Sequence, residues 1–275
     1  MRDKTVAVSG SQGFLGSEII KTLSQSGYEV FGLSHSKINY HNVESLSRAL
    51  RGVEILIHAG WAGIAREDRD NVQLQEMNVT ISKNLVEACK IAQVRHVIGL
   101  GSQAEFGNQH APFRDDQAAS PTTQYGLAKC DVLDHLRESG IQFTWARVFS
   151  AYGEGDNRDW IFTKAIKAIR NQEVLTVGSC SQLWSFTHKC DIALGIKWII
   201  ENSILDCVNL STTEAGTLRS YLEKLQNLAG QSEIINFSQD LSIQNDTYPS
   251  EGRLHGSGWR PQISIDEGFV GCLQI

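Results

Sequence analysis

The chain has no excess of positive charge, no long apolar run and no paired-cysteine motif. Its 25 Lys and Arg stand against 31 Asp and Glu, a formal charge of −6 over 275 residues. That balance offers no surface for a polyanion, so nucleic acid is not an expected partner. No apolar stretch is long enough to cross a bilayer and no leader-like start is recognisable, so a cytoplasmic protein without a membrane partner is expected. The six cysteines, Cys89, Cys130, Cys180, Cys190, Cys207 and Cys272, are scattered without Cys-x-x-Cys spacing. That pattern argues against a metal site and a disulfide framework and fits reduced thiols. Internal repeats and low-complexity tracts are also missing.

What the chain does have is alternation. Lys4 to Ser9 reads as a buried strand, followed by Gly10-Ser11-Gln12-Gly13-Phe14-Leu15-Gly16 and an amphipathic helix to Ser26 with Ile19, Ile20 and Leu23 on one face. Strands follow at Tyr28 to Leu33 and Val53 to His58, a long helix at Asn71 to Ala92, and a strand at Val94 to Gly101. A helix at Thr123 to Glu138 and a strand at Gln142 to Ala146 continue the series. The series predicts an α/β fold: a Rossmann-like doubly wound parallel sheet with a smaller C-terminal substrate lobe. Residues 1–152 form the expected dinucleotide-binding domain. Residues 153–275, where the segments shorten, form most of the substrate lobe, with returns to the main sheet. Ligands in such folds lie at the carboxyl ends of the strands, where Gly10, Ala59, Ser102 and Phe149 gather.

Two local patterns carry chemistry. The strand, glycine turn and helix start at Gly10 to Gly16 form an anion site, in which backbone N–H groups and the positive helix end approach a pyrophosphate. Further on, Ser102-Gln103-Ala104-Glu105-Phe106-Gly107 precedes Tyr125-Gly126-Leu127-Ala128-Lys129. A phenol and an ammonium four residues apart share one helix face, about 6 Å apart along the axis. The cation is expected to lower the phenol's pKa from its usual value near 10 and bring proton exchange towards neutral pH.

In combination these residues resemble the extended short-chain dehydrogenase/reductases, the epimerase/dehydratase-like enzymes that act mostly on nucleotide sugars. The resemblance runs nearly end to end. It includes His58-Ala59-Gly60, Asn78, Arg147-Val148-Phe149-Ser150-Ala151-Tyr152-Gly153, Phe186-Thr187-His188-Lys189-Cys190-Asp191-Ile192-Ala193, and Gly258-Trp259-Arg260-Pro261 with Ile265-Asp266-Glu267-Gly268. It implies an oxidoreductase of carbohydrate biosynthesis. Ser102, Tyr125 and Lys129 are its expected catalytic residues, with Tyr125 exchanging a proton with a carbonyl or alcohol oxygen, Ser102 hydrogen-bonding that oxygen and Lys129 holding the nicotinamide ribose. Gly10, Gln12, Gly13, Phe14, Leu15, Gly16, Ser34, His35, Lys37, His58, Ala59, Gly60 and Val148 join Tyr125 and Lys129 as expected cofactor contacts. Ser102, Gln103, Ser150 and Trp184 are expected substrate contacts.

Cofactor and reaction are read from what stands at particular places. An NAD enzyme usually carries an acid at the end of the second strand; here Ser34-His35-Ser36-Lys37 supplies hydroxyls and cations, which favours NADP(H) over NAD(H). Sugar 4,6-dehydratases of the family carry Thr-Asp-Glu where this chain has Ser102-Gln103-Ala104, and Glu105, displaced by one, is expected to face elsewhere. Dehydration is thus disfavoured. The resulting expectation is reduction of a 4-keto-6-deoxy sugar of a nucleotide sugar; a 4-epimerase with bound NAD is the alternative and a non-catalytic NADP-binding protein the minor one. The family's phosphate-contacting arginine is Trp184 here, a residue that can stack on a base or sugar or fill the core. Arg147, Arg158 and Lys189 are candidate replacement cations. The family also implies a homodimer through its long helices, and Leu85, Val86 and Ala88 fit either that interface or packing on the chain's own sheet.

Overall fold

Apolar residues run unbroken through Val6-Ala7-Val8, Ile55-Leu56-Ile57 and Val97-Ile98, and all are buried. Strands buried on both faces belong in a parallel sheet covered by helices. The computed structural model, which describes residues 4–34, 36, 38–239 and 245–274, has that arrangement. Its first half runs β1 (Thr5–Ser9), α1 (Phe14–Gln25), β2 (Glu29–Leu33), α2 (Val43–Ala49), β3 (Ile55–His58), α3 (Val72–Ala92), β4 (His96–Ser102), α4 (Gln124–Glu138) and β5 (Gln142–Val148). The second half runs β6 (Ala151–Tyr152), α5 (Ile161–Asn171), β7 (Leu175–Val177), β8 (Leu183–Trp184), β9 (Thr187–His188), α6 (Lys189–Asn202) and β10 (Asp206–Leu210). It ends with β11 (Gly216–Thr217), α7 (Leu218–Leu228), β12 (Ile235–Phe237), α8 (Arg253–Gly256) and α9 (Ile265–Leu273).

Six strands form one sheet in the order β10-β5-β4-β3-β1-β2. Chain order reverses between β1 and β3, and the crevice above that point is where doubly wound folds hold ligands. One face carries α1 and α6 over Val8, Ile57, Ile98, Ile192 and Ile196. The other carries α2, α3 and α4 over Leu46, Leu85, Val132 and Trp145. Leu85, Val86 and Ala88 belong to this second core, so they pack on the chain's own sheet rather than forming an exposed interface. The short α2 has no counterpart in the sequence reading; Asn42 starts it, its side chain accepting from Ser45 N at 2.7 Å. At seven residues it is too short to give a periodic signal. A third core under α5, α7 and α9 is aromatic, with Tyr152, Phe162, Phe186 and Phe269 in edge and tilted contact. No helix among the described residues is long and apolar enough to cross a membrane.

Register fixes the height of the site. Ser9 pairs with Leu33 and His58, so β1, β2 and β3 end level. His58 pairs with Gly99, and β4 continues past that level to Ser102 opposite Val148. At about 3.3 Å per residue, Ser102 stands some 10 Å above the ends of β1, β2 and β3, level with the end of β5.

A single carboxylate holds the segment that follows. Ser102 begins a tight turn, Gln103–Phe106, in which Glu105 is fully buried. Glu105 Oε1 accepts from Ser102 N at 2.7 Å and from Trp145 Nε1 at 2.9 Å, and Oε2 accepts from Arg147 Nε at 2.7 Å. Arg147 then donates to Asp115 O at 2.9 Å, while the Asp115 carboxylate takes Asn209 N at 2.6 Å and Arg253 N at 2.7 Å. The excursion between β4 and α4 is thereby tied to β5, β10 and α8. Arg147 is thus a buried partner of Glu105, which removes it from the candidate phosphate-binding cations. Glu105→Gln strands the Arg147 charge in the core, and urea denaturation is expected to show a loss of about 3–5 kcal/mol. Glu105→Gln/Arg147→Met is expected to recover much of it; a single-variant loss below about 1 kcal/mol would contradict the account.

Candidate active site

The glycine turn is built by backbone touching backbone. Gly10 has φ +68°, and a Cβ there would lie 2.6 Å from Gly60 Cα. A Cβ on Gly16 would lie 2.1 Å from Gly10 O. Only residues without a side chain let α1, the turn and the Ala59-Gly60 strand end close together. Gly13 precedes α1 without a side-chain cap and no acid stands in the first turn, so the N–H groups at Phe14, Leu15 and Gly16 remain available to an anion. Gln12 and Gly13 are exposed on the turn. Phe14, Leu15, Ala59 and Val148 pack together against the core beneath. This cradle fits the pyrophosphate of a dinucleotide. Ser34 follows β2, its Oγ 2.8 Å from Ser36 Oγ, whereas His35 and Lys37 lie outside the described residues.

His58 has a different place from the one its motif suggests. Its ring is buried between Ser9 Oγ, 2.6 Å from Nδ1, and Ser82 Oγ, 2.8 Å from Nε2. Burial, helped by the Lys129 charge, pushes its pKa down to about 3, so the ring is neutral and ties β1 and β3 to α3. It is therefore the backbone after His58, not the imidazole, that meets the glycine turn. Asn78 holds that turn in place, accepting from Ala62 N at 3.0 Å and donating to Ala62 O at 2.8 Å.

Ser102, Tyr125 and Lys129 converge above the end of β4. Thr123 caps α4 by accepting from Gly126 N at 3.1 Å, and Tyr125 N donates to Arg69 O at 2.8 Å, which fixes the first turn. The Ser102 hydroxyl, which accepts from Ala104 N at 3.2 Å, stands close enough to the Tyr125 phenol to favour its ionised form. Lys129 Nζ donates to Leu100 O at 2.8 Å and lies 5.8 Å from the Tyr125 ring centroid. The expected electrostatics are corrected here. Burial pushes the Tyr125 phenol above its ordinary pKa, and the neighbouring Ser102 hydroxyl and the Arg69 charge only oppose this. Burial also lowers Lys129 from 10.5 to about 7, against the pull of Glu105. In so dry a place desolvation outweighs attraction, and both groups favour their neutral forms.

Comparison with known proteins gives the same assignment. The model of the NAD dependent epimerase/dehydratase family matches residues 6–209. The chain belongs to this family. The extended short-chain dehydrogenase/reductase resemblance is thereby upheld. Among curated relatives, dTDP-6-deoxy-L-talose 4-dehydrogenase (NAD(+)) of Aggregatibacter actinomycetemcomitans is 22% identical, over 80% of this chain and 88% of the relative. Among solved structures, Thermus thermophilus UDP-glucose 4-epimerase in complex with NAD superposes with a TM-score of 0.83 at 19% identity, covering 98% and 97% of the two chains. RMD from Pseudomonas aeruginosa, complexed with NADPH, gives 0.86 at 19% identity, again over 98% and 97%. At such identities the two structures speak for the fold.

The residues expected to face substrate in this epimerase/dehydratase-family chain are more particular. Gln103 and Ser150 meet: Gln103 Oε1 accepts from Ser150 N at 3.2 Å and from Ser150 Oγ at 3.3 Å, with Ser150 at φ +31°. Trp184 lies apart in the lobe, paired with Gly216 and half-buried against the aromatic core, its indole N–H buried without a partner among the described residues. Arg158 is held by Asp156 and the Ala151 carbonyl and lies 4.8 Å from the Phe14 ring; Lys189 donates to Glu154 O at 2.7 Å and lies 5.8 Å from the same ring. Both cations thus stand beside the glycine turn with partners of their own. Sequence reading missed Trp61 and Arg69. Trp61 lies 5.9 Å from Tyr125 edge-on, and Arg69 lies 5.7 Å above the Tyr125 ring. The bulky Trp directly after the His58-Ala59-Gly60 turn was the one available signal.

Two outcomes test this geometry. Gly16→Ala forces α1 off Gly10, and titration calorimetry is expected to show dinucleotide affinity falling about tenfold or more, as overpacking costs of about 1–3 kcal/mol imply. The second concerns pH. Because the folded Lys129 titrates near 7 and the unfolded one near 10.5, the unfolded chain holds the extra proton between those values. The contribution of this group to stability therefore rises across that window, and its cost is greatest below pH 7. The urea midpoint of Lys129→Met relative to wild type is expected to be higher at pH 6 than at pH 10; a difference independent of pH would refute the depressed lysine.

Proposed function

We propose that this enzyme reduces the 4-keto group of a nucleotide-linked 4-keto-6-deoxy sugar. The observation that carries the reading is the Ser102–Tyr125 hydroxyl pair beside Lys129, with the nearest carboxylate, Glu105, consumed in the core. A nicotinamide cofactor, when bound, supplies the hydride. Tyr125 donates the proton to the carbonyl oxygen, so that the ketone becomes an alcohol, and a phenol held neutral by burial is the form that can donate. Ser102 hydrogen-bonds the same oxygen as charge develops on it. Lys129 stands near enough to hold a ribose hydroxyl and to pass a proton towards Tyr125. Elimination of water would need a free acid and base beyond this set, and Gln103, facing Ser150, supplies neither.

NADPH is the cofactor we assign. The chain has no acid from Val30 to Val43, and Ser34 and Ser36 place two hydroxyls where a 2′-phosphate would be received. Residues 1–152 would hold this dinucleotide and residues 153–275 most of the sugar nucleotide. A second reading, a 4-epimerase with retained NAD, is favoured by the similarity to UDP-glucose 4-epimerase. A homodimer is part of the proposal: Val72 and Leu127 are exposed on α3 and α4 along an open groove between the two helices. The six free cysteines fit a cytoplasmic setting.

The test is NADPH oxidation against a panel of nucleotide-linked 4-keto-6-deoxy sugars. Turnover with at least one is expected, and Tyr125→Phe is expected to lower it about 10²- to 10⁴-fold while leaving cofactor affinity nearly unchanged. Interconversion of 4-epimers without net NADPH oxidation would replace the first reading by the second.

A further inference from the structure

Two cations stand at nearly equal range from the Tyr125 ring. The Arg69 guanidinium carbon lies 5.7 Å from its centroid and Lys129 Nζ 5.8 Å. They differ in what else they hold. Lys129 is buried, donates to Leu100 O at 2.8 Å and lies 3.7 Å from the Trp61 ring centroid. Arg69 is exposed, and among the described residues its side chain makes one hydrogen bond, from Nε to Ile64 O at 3.2 Å. Glu67, Asp68 and Asp70 flank it in the chain, and none forms an ion pair with it among the described residues. Its backbone is fixed separately, with Arg69 O accepting from Tyr125 N at 2.8 Å. The residue that seats the first turn of α4 thus also carries an uncompensated charge over the phenol ring. The other charges around the phenol have partners: Glu105, after β4, is bound to Arg147, and Arg158, before α5, to Asp156.

When Tyr125 gives up its proton, a negative charge is left on the phenol oxygen. A neighbouring cation stabilises that charge only if it is still charged itself. Lys129 titrates at about 7, while burial holds the Tyr125 phenol above its ordinary range, so the lysine is a neutral amine where the phenol ionises. A guanidinium stays protonated throughout the range open to a folded protein. Of the charges that act on the phenol against the effect of burial, that of Arg69 favours the ionised form most. We propose that Arg69 is a positioning residue acting through Tyr125, whose permanent charge, rather than that of Lys129, stabilises the phenolate left when the proton passes to the substrate oxygen. The inference deepens the reading of Tyr125 as proton donor and rests on it. The balance is that of the proposed reduction: hydride comes from the cofactor, the proton from Tyr125, and water restores the phenol afterwards.

The test is the ionisation of Tyr125 in the free protein, followed by NMR of tyrosine isotope-labelled at Cζ and assigned by the signal lost in Tyr125→Phe. Arg69→Gln keeps the backbone carbonyl and removes the charge. It is expected to lower the phenolate-to-phenol ratio at fixed pH about three- to tenfold, the size of a Coulomb interaction across about 6 Å near a protein surface. Lys129→Met is expected to change the ratio less than about twofold. Arg69→Lys should fall between, because an exposed lysine loses its own charge at about pH 10.4. The Arg69→Gln effect should shrink in about 1 M salt, where the screening length is about 3 Å. An unchanged ratio in Arg69→Gln, an effect as large at high salt as at low, or a larger effect in Lys129→Met overturns the inference. Where alkali unfolds the chain before Tyr125 ionises, replacing tyrosine by its more acidic ring-fluorinated analogue brings the titration to lower pH, and the same ordering decides. Neither cofactor nor substrate enters this measurement. Failure here leaves the reductase reading standing, and failure of the turnover assay leaves the titration readable.

Discussion

The buried Glu105 carboxylate is the constraint on which the site depends. It gathers a backbone N–H from the end of β4, an indole N–H and a guanidinium from β5. Each donor replaces part of the water that a carboxylate gives up on burial, which otherwise costs several kcal/mol. The guanidinium extends the network to Asp115 and so to β10 and α8. Ser102 is thus oriented from below by a charge that takes no part in the chemistry, and Tyr125 is oriented from the side by the Arg69 carbonyl. The Ser102 and Tyr125 hydroxyls come close because two separate pieces of backbone are tied down, one through a core ion pair and one through a helix start.

Dryness then sets the character of the site. Ordinary reasoning from a phenol–ammonium spacing has the cation making the phenol more acidic. That holds where solvent screens the cost of burial. Here both groups are buried, and Lys129 directs one donor to Leu100 O while its Nζ lies over the Trp61 face. In the proposed reaction a lysine near neutrality and a phenol kept protonated would form a proton-handling pair of another kind, in which the lysine accepts or gives a proton without a large penalty at pH 7.

Much of this was legible in the sequence, for identifiable reasons. Buried parallel strands read as continuous apolar runs, so Val6-Ala7-Val8 and Ile55-Leu56-Ile57 announced the sheet. The glycine turn was legible because close backbone approach leaves only one residue type possible. Tyr125 and Lys129 were legible through helical spacing. Contacts between distant segments were not: His58 bridging Ser9 and Ser82, Arg147 reaching Glu105 and Trp61 covering Lys129 join residues between 24 and 68 positions apart. No local pattern encodes such pairs. The fate of Arg147 shows the limit well, since an arginine destined for a core ion pair and one destined for a phosphate look alike in a string of letters.

The glycine cradle separates what can drift from what cannot. At Gly10, Gly16 and Gly60 the walls are peptide atoms, and peptide atoms do not change with a codon. In the proposed reading the sugar would meet side chains instead, such as Gln103, Ser150 and Trp184, on segments outside the cradle. Mutation can therefore rework which sugar is accepted while the cofactor seat is left alone. A fold with that division can supply many specificities from one redox reaction, and departures from family habit in the lobe are where such a history would be written.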